Sequence, residues 1–144
     1  MRSPTEMIDR FRAEGRRVTP QRVAIFEALT GNETHPTAES IHELVVADMP
    51  MVSLRTVYSV LSELTEMGEV LQLDLGTGAA RFDPHNAAHH HLVCTECGSV
   101  FDVRVDDDHV RPTDGSVDGF RIDDTEIVFR GVCRVCASAS SATN

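Results

Sequence analysis

The sequence has no long apolar run. Its 144 residues contain no apolar segment of the roughly 20 residues that a membrane-spanning helix requires, and no apolar signal-peptide core follows Met1. We therefore expect a cytoplasmic protein with no membrane partner. In a reducing compartment, four cysteines in two Cys-x-x-Cys pairs indicate metal binding rather than disulfide bonds.

Lysine is also absent, so arginine is the only strongly basic residue. Because the net charge is -10, bulk charge predicts neither nucleic acid nor an anionic membrane as a partner. The first 22 residues depart from this balance, with six arginines against three acidic residues. Arginine suits bidentate contact with phosphate or guanine, but it is also common in any arginine-rich composition, so this excess alone decides little.

Four helices are expected in the N-terminal half. An amphipathic pattern covers residues 3–14, and Thr19, Thr37 and Ser53 are the expected N-caps of the next three helices. The fourth helix runs to position 68, and its apolar and polar residues fall on opposite faces at about 100° per residue. In the third helix, the residues expected to face inward are Ile41, Leu44 and Val45.

A hairpin is expected after the fourth helix. Residues 70–75 alternate as in a strand, Gly-Thr-Gly at 76–78 predicts a turn, and residues 80–82 predict the returning strand. Helices followed by a hairpin in this order predict a winged helix-turn-helix, whose recognition helix enters the DNA major groove.

The fourth helix would be that recognition helix, and its polar face carries the expected DNA contacts. Arg55, Thr56 and Ser59 are expected to point toward base edges, and Tyr58 toward the sugar-phosphate or thymine methyl groups. Arg17 and Gln21 are the expected contacts to the DNA backbone.

The sequence after position 84 changes in character. Short β-prone runs at 92–93, 100–103 and 127–129 surround the cysteine pairs, whereas residues 111–119 predict no strong helix. Residues 137–144 are small and polar and predict a frayed tail. Helices in the first half and short strands in the second predict an α+β fold.

The four cysteines, Cys94, Cys97, Cys133 and Cys136, predict one structural zinc site. Each pair would lie on a tight turn, and the separation of roughly 35 residues can be spanned by a pair of strands. Four thiolates fill the coordination shell and leave no position for a substrate. A thioredoxin-like redox pair is the alternative, but no tryptophan or βαβ pattern surrounds either motif.

A histidine cluster precedes the first cysteine pair. His89 and His91 would point to the same side of an extended segment, and His90 to the other. Asp83 lies shortly before them and Asp102 on the next expected strand. Solvated histidines on a polar loop, or an adventitious metal binder, are the simpler interpretations of these residues alone.

Five motifs carry a resemblance to a known family. They are Gly-Arg-Arg-Val-Thr-Pro-Gln-Arg (15–22), His-Pro-Thr-Ala-Glu-Ser-Ile (35–41), Ser-Leu-Arg-Thr-Val-Tyr (53–58), His-His-His-Leu-Val-Cys-x-x-Cys (89–97) and Gly-Val-Cys-x-x-Cys (131–136). In this order, over nearly the whole chain, they resemble the ferric uptake regulator family. That resemblance implies a homodimeric repressor that binds operator DNA when a regulatory metal is loaded. It also implies a winged-helix DNA-binding domain at 1–82 and a small α/β metal-binding dimerisation domain at 83–144.

The resemblance further implies a regulatory metal site at the hinge between the domains. Its ligands would be His35, Asp83, His89, His91 and Asp102. Three imidazoles and two carboxylates suit Fe²⁺ or Mn²⁺, and the pattern is similar to the peroxide-sensing branch of the family. A nickel-sensing branch uses a histidine near His85, which makes that residue an alternative ligand, and an iron-responsive repressor is a further alternative.

Two functions outside gene regulation were weighed. A zinc hydrolase or deaminase needs an open zinc position and a His-x-Glu signature beside it, which neither cysteine pair offers, so no enzyme is expected. A zinc-stapled interaction module without DNA binding would explain the cysteines. It leaves the helix from Ser53 and the following hairpin unexplained.

Overall fold

The computed structural model describes residues 1–87, 89–106, 110, 112, 117–123 and 125–141. The chain divides into two compact units, Met1–Ala87 and Ala88–Asn144. In the described part of the chain, no helix is both long enough and apolar enough to cross a membrane.

The first unit consists of four helices and a two-stranded hairpin. The elements are α1 (Pro4–Ala13), α2 (Pro20–Leu29), α3 (Ala38–Val46), α4 (Leu54–Glu66), β1 (Leu71–Leu73) and β2 (Arg81–Asp83). Each helix begins after a serine or threonine whose hydroxyl accepts the backbone N–H three residues on, so the three predicted N-caps are confirmed. Ser3 caps α1 in the same way and forms a reciprocal capping box with Glu6.

The core of the first unit lies between the helices. Phe11 and Phe26 meet edge to face with ring centroids 5.0 Å apart. Helix α4 buries Val57, Val60, Leu61 and Leu64, as its sequence pattern predicted. The prediction that Leu44 faces inward is wrong, because this residue is 55% exposed. The buried contacts of α3 are instead made by Ala38, Ile41 and Val45.

The hairpin follows α4 as expected. Strands β1 and β2 are antiparallel, with Leu71 opposite Asp83 and Leu73 opposite Arg81. The Phe82 N–H donates to the Pro36 carbonyl over 2.9 Å, so the segment before α3 runs beside β2. Four helices and a hairpin in this order form a winged helix-turn-helix. Asp83, which the sequence grouped with the second domain, ends a strand of the first unit.

Among its described residues, the second unit has a three-stranded mixed sheet followed by a helix. Its elements are β3 (His90–Cys94), β4 (Val100–Val103), β5 (Val128–Gly131) and α5 (Arg134–Ser141). The central strand β3 pairs with β4 antiparallel and with β5 parallel. All three strands lie where β-prone runs were predicted, and the two units together confirm the α+β class.

Helix α5 corrects one prediction. Residues 137–144 were expected to form a frayed tail, but the helix that begins at Arg134 continues to Ser141. The Ala137 N–H donates to the Cys133 carbonyl over 2.9 Å, so the helix grows directly from the second cysteine pair. Alanine has the highest helix propensity, and the many small residues obscured an apolar periodicity. Residues 111 and 113–116, in the segment predicted to lack a strong helix, lie outside the described residues.

Candidate metal centres and DNA-binding face

The four cysteines converge in the second unit. Their Sγ atoms all lie within 4.8 Å of one another, and Cys97 and Cys133 are 3.9 Å apart. A tetrahedral zinc with Zn–S bonds of about 2.3 Å would separate its sulfurs by about 3.8 Å. All four cysteines are free thiols. The cluster therefore fits a closed four-thiolate zinc site, and the alternative of separate redox pairs does not fit it.

Strand pairing builds this thiol cluster. The Thr95 N–H donates to the Gly131 carbonyl over 2.8 Å, which joins the turn after β3 to the end of β5. The Gly98 N–H closes the first turn by donating to the Cys94 carbonyl over 2.9 Å. Gly98 has a φ of 70°, a conformation that costs glycine little. Both cysteine pairs therefore lie at one end of the sheet.

The thiols of the cluster do not share one pKa. Backbone N–H groups of Cys97 and Cys133 point at the Cys94 sulfur and lower its pKa to about 6. The Ser99 hydroxyl, 3.1 Å from the Cys97 sulfur, lowers the pKa of that thiol. The neighbouring Cys133 and Cys97 sulfurs raise the pKa of Cys136 to about 12. Zn²⁺ bound between the sulfurs would favour the thiolate form of all four cysteines.

In the first unit, His35 and Asp83 form a buried pair. Their side chains are 1% and 3% exposed, and His35 Nε2 lies 3.8 Å from Asp83 Oδ2. Two hydrogen bonds bring their segments together: the Phe82 N–H donates to the Pro36 carbonyl, and the Arg81 guanidinium donates to the His35 carbonyl over 3.2 Å. A buried imidazole and carboxylate are both ligands suited to a divalent transition metal.

His35 has a strained backbone. Its φ of 50° lies in the left-handed region, which non-glycine residues seldom adopt. Such a conformation costs on the order of 1–3 kcal/mol and is concentrated at functional sites. Among the described residues other than glycine, His35 alone has a positive φ. The strain supports a functional role for its imidazole.

In the second unit, His89, His91 and Asp102 form another cluster. The imidazole rings of His89 and His91 are 4.6 Å apart, which confirms that they point to the same side. His89 Nε2 lies 3.4 Å from Asp102 Oδ1. Asp102 is opposite His91 in the β3–β4 register, so cross-strand pairing places the carboxylate beside both rings.

Sequence reasoning missed Glu126. Its Oε1 lies 3.0 Å from His91 Nδ1, although the two residues are far apart in the chain. A lone glutamate in a polar segment carries no signal of its own. Only the parallel pairing of β5 with β3 brings it to the histidine cluster.

His85 belongs to the first unit and is exposed. Its backbone N–H donates to Asp83 Oδ1 over 2.7 Å and so helps to fix the buried carboxylate. The described contact of His85 with the ligand cluster is thus made by its backbone.

The outward face of α4 carries most of the predicted DNA contacts. Arg55 and Ser59 are exposed, and Tyr58 is 46% exposed. The Tyr58 hydroxyl donates to Glu39 Oε1 over 2.8 Å, which ties α4 to α3. Thr56 is half-buried, and its hydroxyl lies 2.9 Å from that of the N-cap Ser53. Thr56 therefore takes part in the helix cap.

The N-terminal arginines divide into two groups. Five of them are paired with acidic side chains: Arg2 and Arg10 with Glu69, Arg16 and Arg22 with Glu63, and Arg12 with Asp9. Arg17 and the neighbouring Gln21 are both exposed, as backbone contacts to DNA require. Much of the local basic excess is therefore used to hold the first unit together.

A winged helix followed by a small α/β unit, with a thiol cluster and with imidazole and carboxylate side chains grouped in each unit, defines a metal-responsive winged-helix regulator. The chain belongs to the ferric uptake regulator family, whose sequence profile matches residues 13–130.

Known proteins similar to this chain include peroxide regulators. It is 34% identical over 133 residues to the peroxide operon regulator of Bacillus subtilis, covering 92% of each chain. It is 33% identical over 132 residues to the peroxide-responsive repressor PerR of Staphylococcus saprophyticus, covering 91% of this chain and 89% of that one. Among solved structures, the ferric uptake regulator of Pseudomonas aeruginosa with manganese aligns with a TM-score of 0.66 at 27% identity, covering 93% and 99% of the two chains.

Proposed function

We propose that this protein is a metal-dependent, DNA-binding transcriptional repressor that responds to peroxide. The observation that carries the proposal is the separation of two kinds of ligand. Four cysteines form one cluster, whereas imidazoles and carboxylates are grouped separately, as His35 with Asp83 in the first unit and His89 with Asp102 in the second. The first suits a permanent structural ion, and the second suits an ion that is loaded and released.

We infer that Zn²⁺ occupies the cysteine cluster and that Fe²⁺ or Mn²⁺ is the regulatory metal. His35 and Asp83 of the first unit would bind the same ion as His89, His91 and Asp102 of the second. Three imidazoles and two carboxylates form a borderline-to-hard donor set, which these metals accept. The same residues also fit Ni²⁺, for which His85 is the alternative ligand. Burial favours Asp83 over His85, because Asp83 is 2% exposed and His85 is exposed.

One ion bound by residues of both units would couple metal loading to DNA binding. The metal stabilises only those arrangements of the two units in which all five ligands reach it. To shift the population toward DNA binding, the metal must favour the DNA-competent arrangement over the others by a few kcal/mol. In that arrangement α4 would enter the major groove, with Arg55 and Ser59 toward base edges and Arg17 and Gln21 at the phosphates.

A homodimer would place two such helices on a palindromic operator. The surface proposed for the second copy is the exposed face of the three-stranded sheet. Leu92 on the central strand is opposite Phe101 on β4 and Phe129 on β5, and all three are between 41% and 47% exposed. An apolar row across three strands is costly to leave in water, and a second copy of the same row would cover it.

A DNA-binding regulator acts where the chromosome is, so the proposed location is the cytoplasm.

The response to peroxide is the finer part of the proposal, and the two similar peroxide regulators support it. Bound Fe²⁺ supplies the chemistry that reduces peroxide. One oxygen atom of H₂O₂ would be added to a ligand imidazole, at His35 or His89, and the other would leave as water. An oxidised imidazole is a poorer ligand, so the metal is held less tightly and repression ends.

The test of metal dependence is DNA affinity measured with one metal at a time. Duplexes enriched from a random pool in the presence of Mn²⁺ serve as the probe. Binding is expected with Fe²⁺ or Mn²⁺ and lost with chelator, while the zinc content stays at one per chain. If Ni²⁺ alone supports binding, the nickel hypothesis replaces this one. If no metal changes the affinity, the protein is not a metal-dependent repressor.

The DNA-binding face has its own test. Replacing Arg55 by alanine should weaken operator binding by about 1–3 kcal/mol if the guanidinium reads a base. Arg121→Ala removes the same charge from the second unit and is the matched control, with an affinity close to that of the parent chain. Unchanged affinity of the Arg55→Ala, Tyr58→Ala double variant would remove α4 from the interface.

A further inference from the structure

We propose that Glu126 is a positioning residue for the regulatory metal. Its carboxylate holds the imidazole of His91 in the tautomer that presents Nε2 to the ion. This inference rests on the proposed function, in which His91 is a ligand of that metal.

The backbone first brings Glu126 to the histidine cluster. Strand β5 runs parallel to β3, with Val128 opposite His91. The His91 N–H donates to the Ile127 carbonyl over 3.1 Å, which extends this pairing to the residue before the strand. Glu126 therefore lies beside His91 because it directly precedes the residue that extends the sheet register.

The contact between the two side chains then determines which ring nitrogen of His91 carries the hydrogen. Glu126 Oε1 lies 3.0 Å from His91 Nδ1. An ionised carboxylate can only accept, so Nδ1 must carry the hydrogen, and in the neutral ring Nε2 holds the lone pair. The two side chains of this contact also differ in burial. The His91 side chain is 2% exposed, whereas that of Glu126 is 46% exposed. Nε2 is thus the nitrogen available to a buried ion.

The same short segment gives the neighbouring histidine the opposite tautomer. The Ile127 N–H donates to His90 Nδ1 over 3.3 Å. Because Nδ1 accepts there, the hydrogen of a neutral His90 lies on Nε2. Residues 126 and 127 thus prepare His91 to bind a metal through Nε2, and they prepare His90 for a structural hydrogen bond. This explains how the adjacent His90 and His91 can have different roles.

The carboxylate should also strengthen the metal bond. A metal-binding imidazole that donates its other N–H to a carboxylate is fixed in orientation and is more basic, and removal of such a partner costs about 10- to 100-fold in metal affinity. Glu126 is well suited to substitution, because its exposed side chain can be replaced without opening the core.

The experiment is a titration of the full chain, with zinc retained at the cysteines, by Mn²⁺ followed with electron paramagnetic resonance. Glu126→Ala should bind Mn²⁺ about 10- to 100-fold more weakly. Glu126→Gln keeps an acceptor oxygen without the charge and should fall between that variant and the parent. Asp123→Asn, in the same segment, removes one carboxylate paired with Arg121 and should change the affinity by less than about twofold.

A second readout needs no regulatory metal. Nitrogen NMR of the imidazoles should show the hydrogen of His91 on Nδ1 in the parent and in Glu126→Gln, and no such preference in Glu126→Ala. A merely structural glutamate would leave this tautomer unchanged.

Two results would overturn the role of Glu126: parent-like Mn²⁺ binding by Glu126→Ala, or a parent His91 with its hydrogen on Nε2. The His91→Ala variant separates this failure from failure of the proposed function. If His91→Ala binds Mn²⁺ as tightly as the parent, the regulatory site itself is wrong. If His91→Ala loses Mn²⁺ while Glu126→Ala retains it, only the positioning role is wrong.

Discussion

At the scale of single residues, a hydrogen bond links the two helices of the helix-turn-helix. The Tyr58 hydroxyl on α4 donates to the Glu39 carboxylate in the first turn of α3. This bond is the main cause that lowers the pKa of Glu39, and it raises the pKa of Tyr58. A tyrosine proposed to lie against DNA is therefore already held by a carboxylate, which must share it with the sugar-phosphate.

Replacing Tyr58 by phenylalanine should raise the pKa of Glu39 toward its ordinary value. The sign of the accompanying change in stability follows from linkage. A carboxyl whose folded pKa is lowered stabilises the fold above its unfolded pKa, and that contribution disappears as the pH falls through the folded pKa. Carboxyl NMR against pH measures the shift. Ser59→Ala, one residue along, is the control and should leave the Glu39 titration where it is. An unshifted Glu39 in Tyr58→Phe would show that the bond does not form in solution.

Residue types predicted some sites and not others. Helix caps and the cysteine cluster follow from local chemistry, so Thr19, Ser53 and the Cys-x-x-Cys pairs could be recognised in the sequence. Glu126 could not, because its role depends on strand register across the second unit. The buried Glu69 also gave no signal, since its partners Arg2 and Arg10 come from the other end of the first unit.

At the scale of secondary structure elements, the two faces of α4 have different roles. Its inner face is part of the core, and its outer face is the proposed DNA contact. Leu61→Ala should destabilise the first unit by about 2–5 kcal/mol, because the side chain is 0% exposed and truncation leaves a cavity. Leu44→Ala on α3 is a matched control with an exposed leucine and should change the free energy of unfolding by about 0.5 kcal/mol or less. Chemical denaturation followed by circular dichroism compares them.

Equal destabilisation by the two substitutions would contradict the packing of α3 and α4. The control is informative because the sequence favoured an inward Leu44. Its position three residues after Ile41 is compatible with the buried stripe of a helix. Where that stripe ends depends on how α3 packs against its neighbours, and a periodic pattern does not contain this information.

At the scale of the whole molecule, the cysteine cluster links separate segments of the second unit. It joins the turn after β3 to the start of α5, and the described sheet has only three short strands. Cys94→Ser should release zinc and unfold or loosen this unit, since structural zinc supplies on the order of 10 kcal/mol in small modules. Zinc content and thermal unfolding are the measurements. Glu96→Gln, in the same turn, should keep both unchanged. A zinc-loaded, equally stable Cys94→Ser protein would mean that the cluster is not structural.

In the proposed function, metal loading controls DNA binding and peroxide reverses it by oxidising a ligand histidine. The most direct measurement is peptide mass spectrometry of iron-loaded, DNA-bound protein before and after peroxide, with the released DNA quantified in the same samples. We expect one added oxygen atom on the peptide holding His35 or His89, in proportion to the DNA released, and neither change in manganese-loaded protein. Release of DNA from iron-loaded protein without that added oxygen would contradict it.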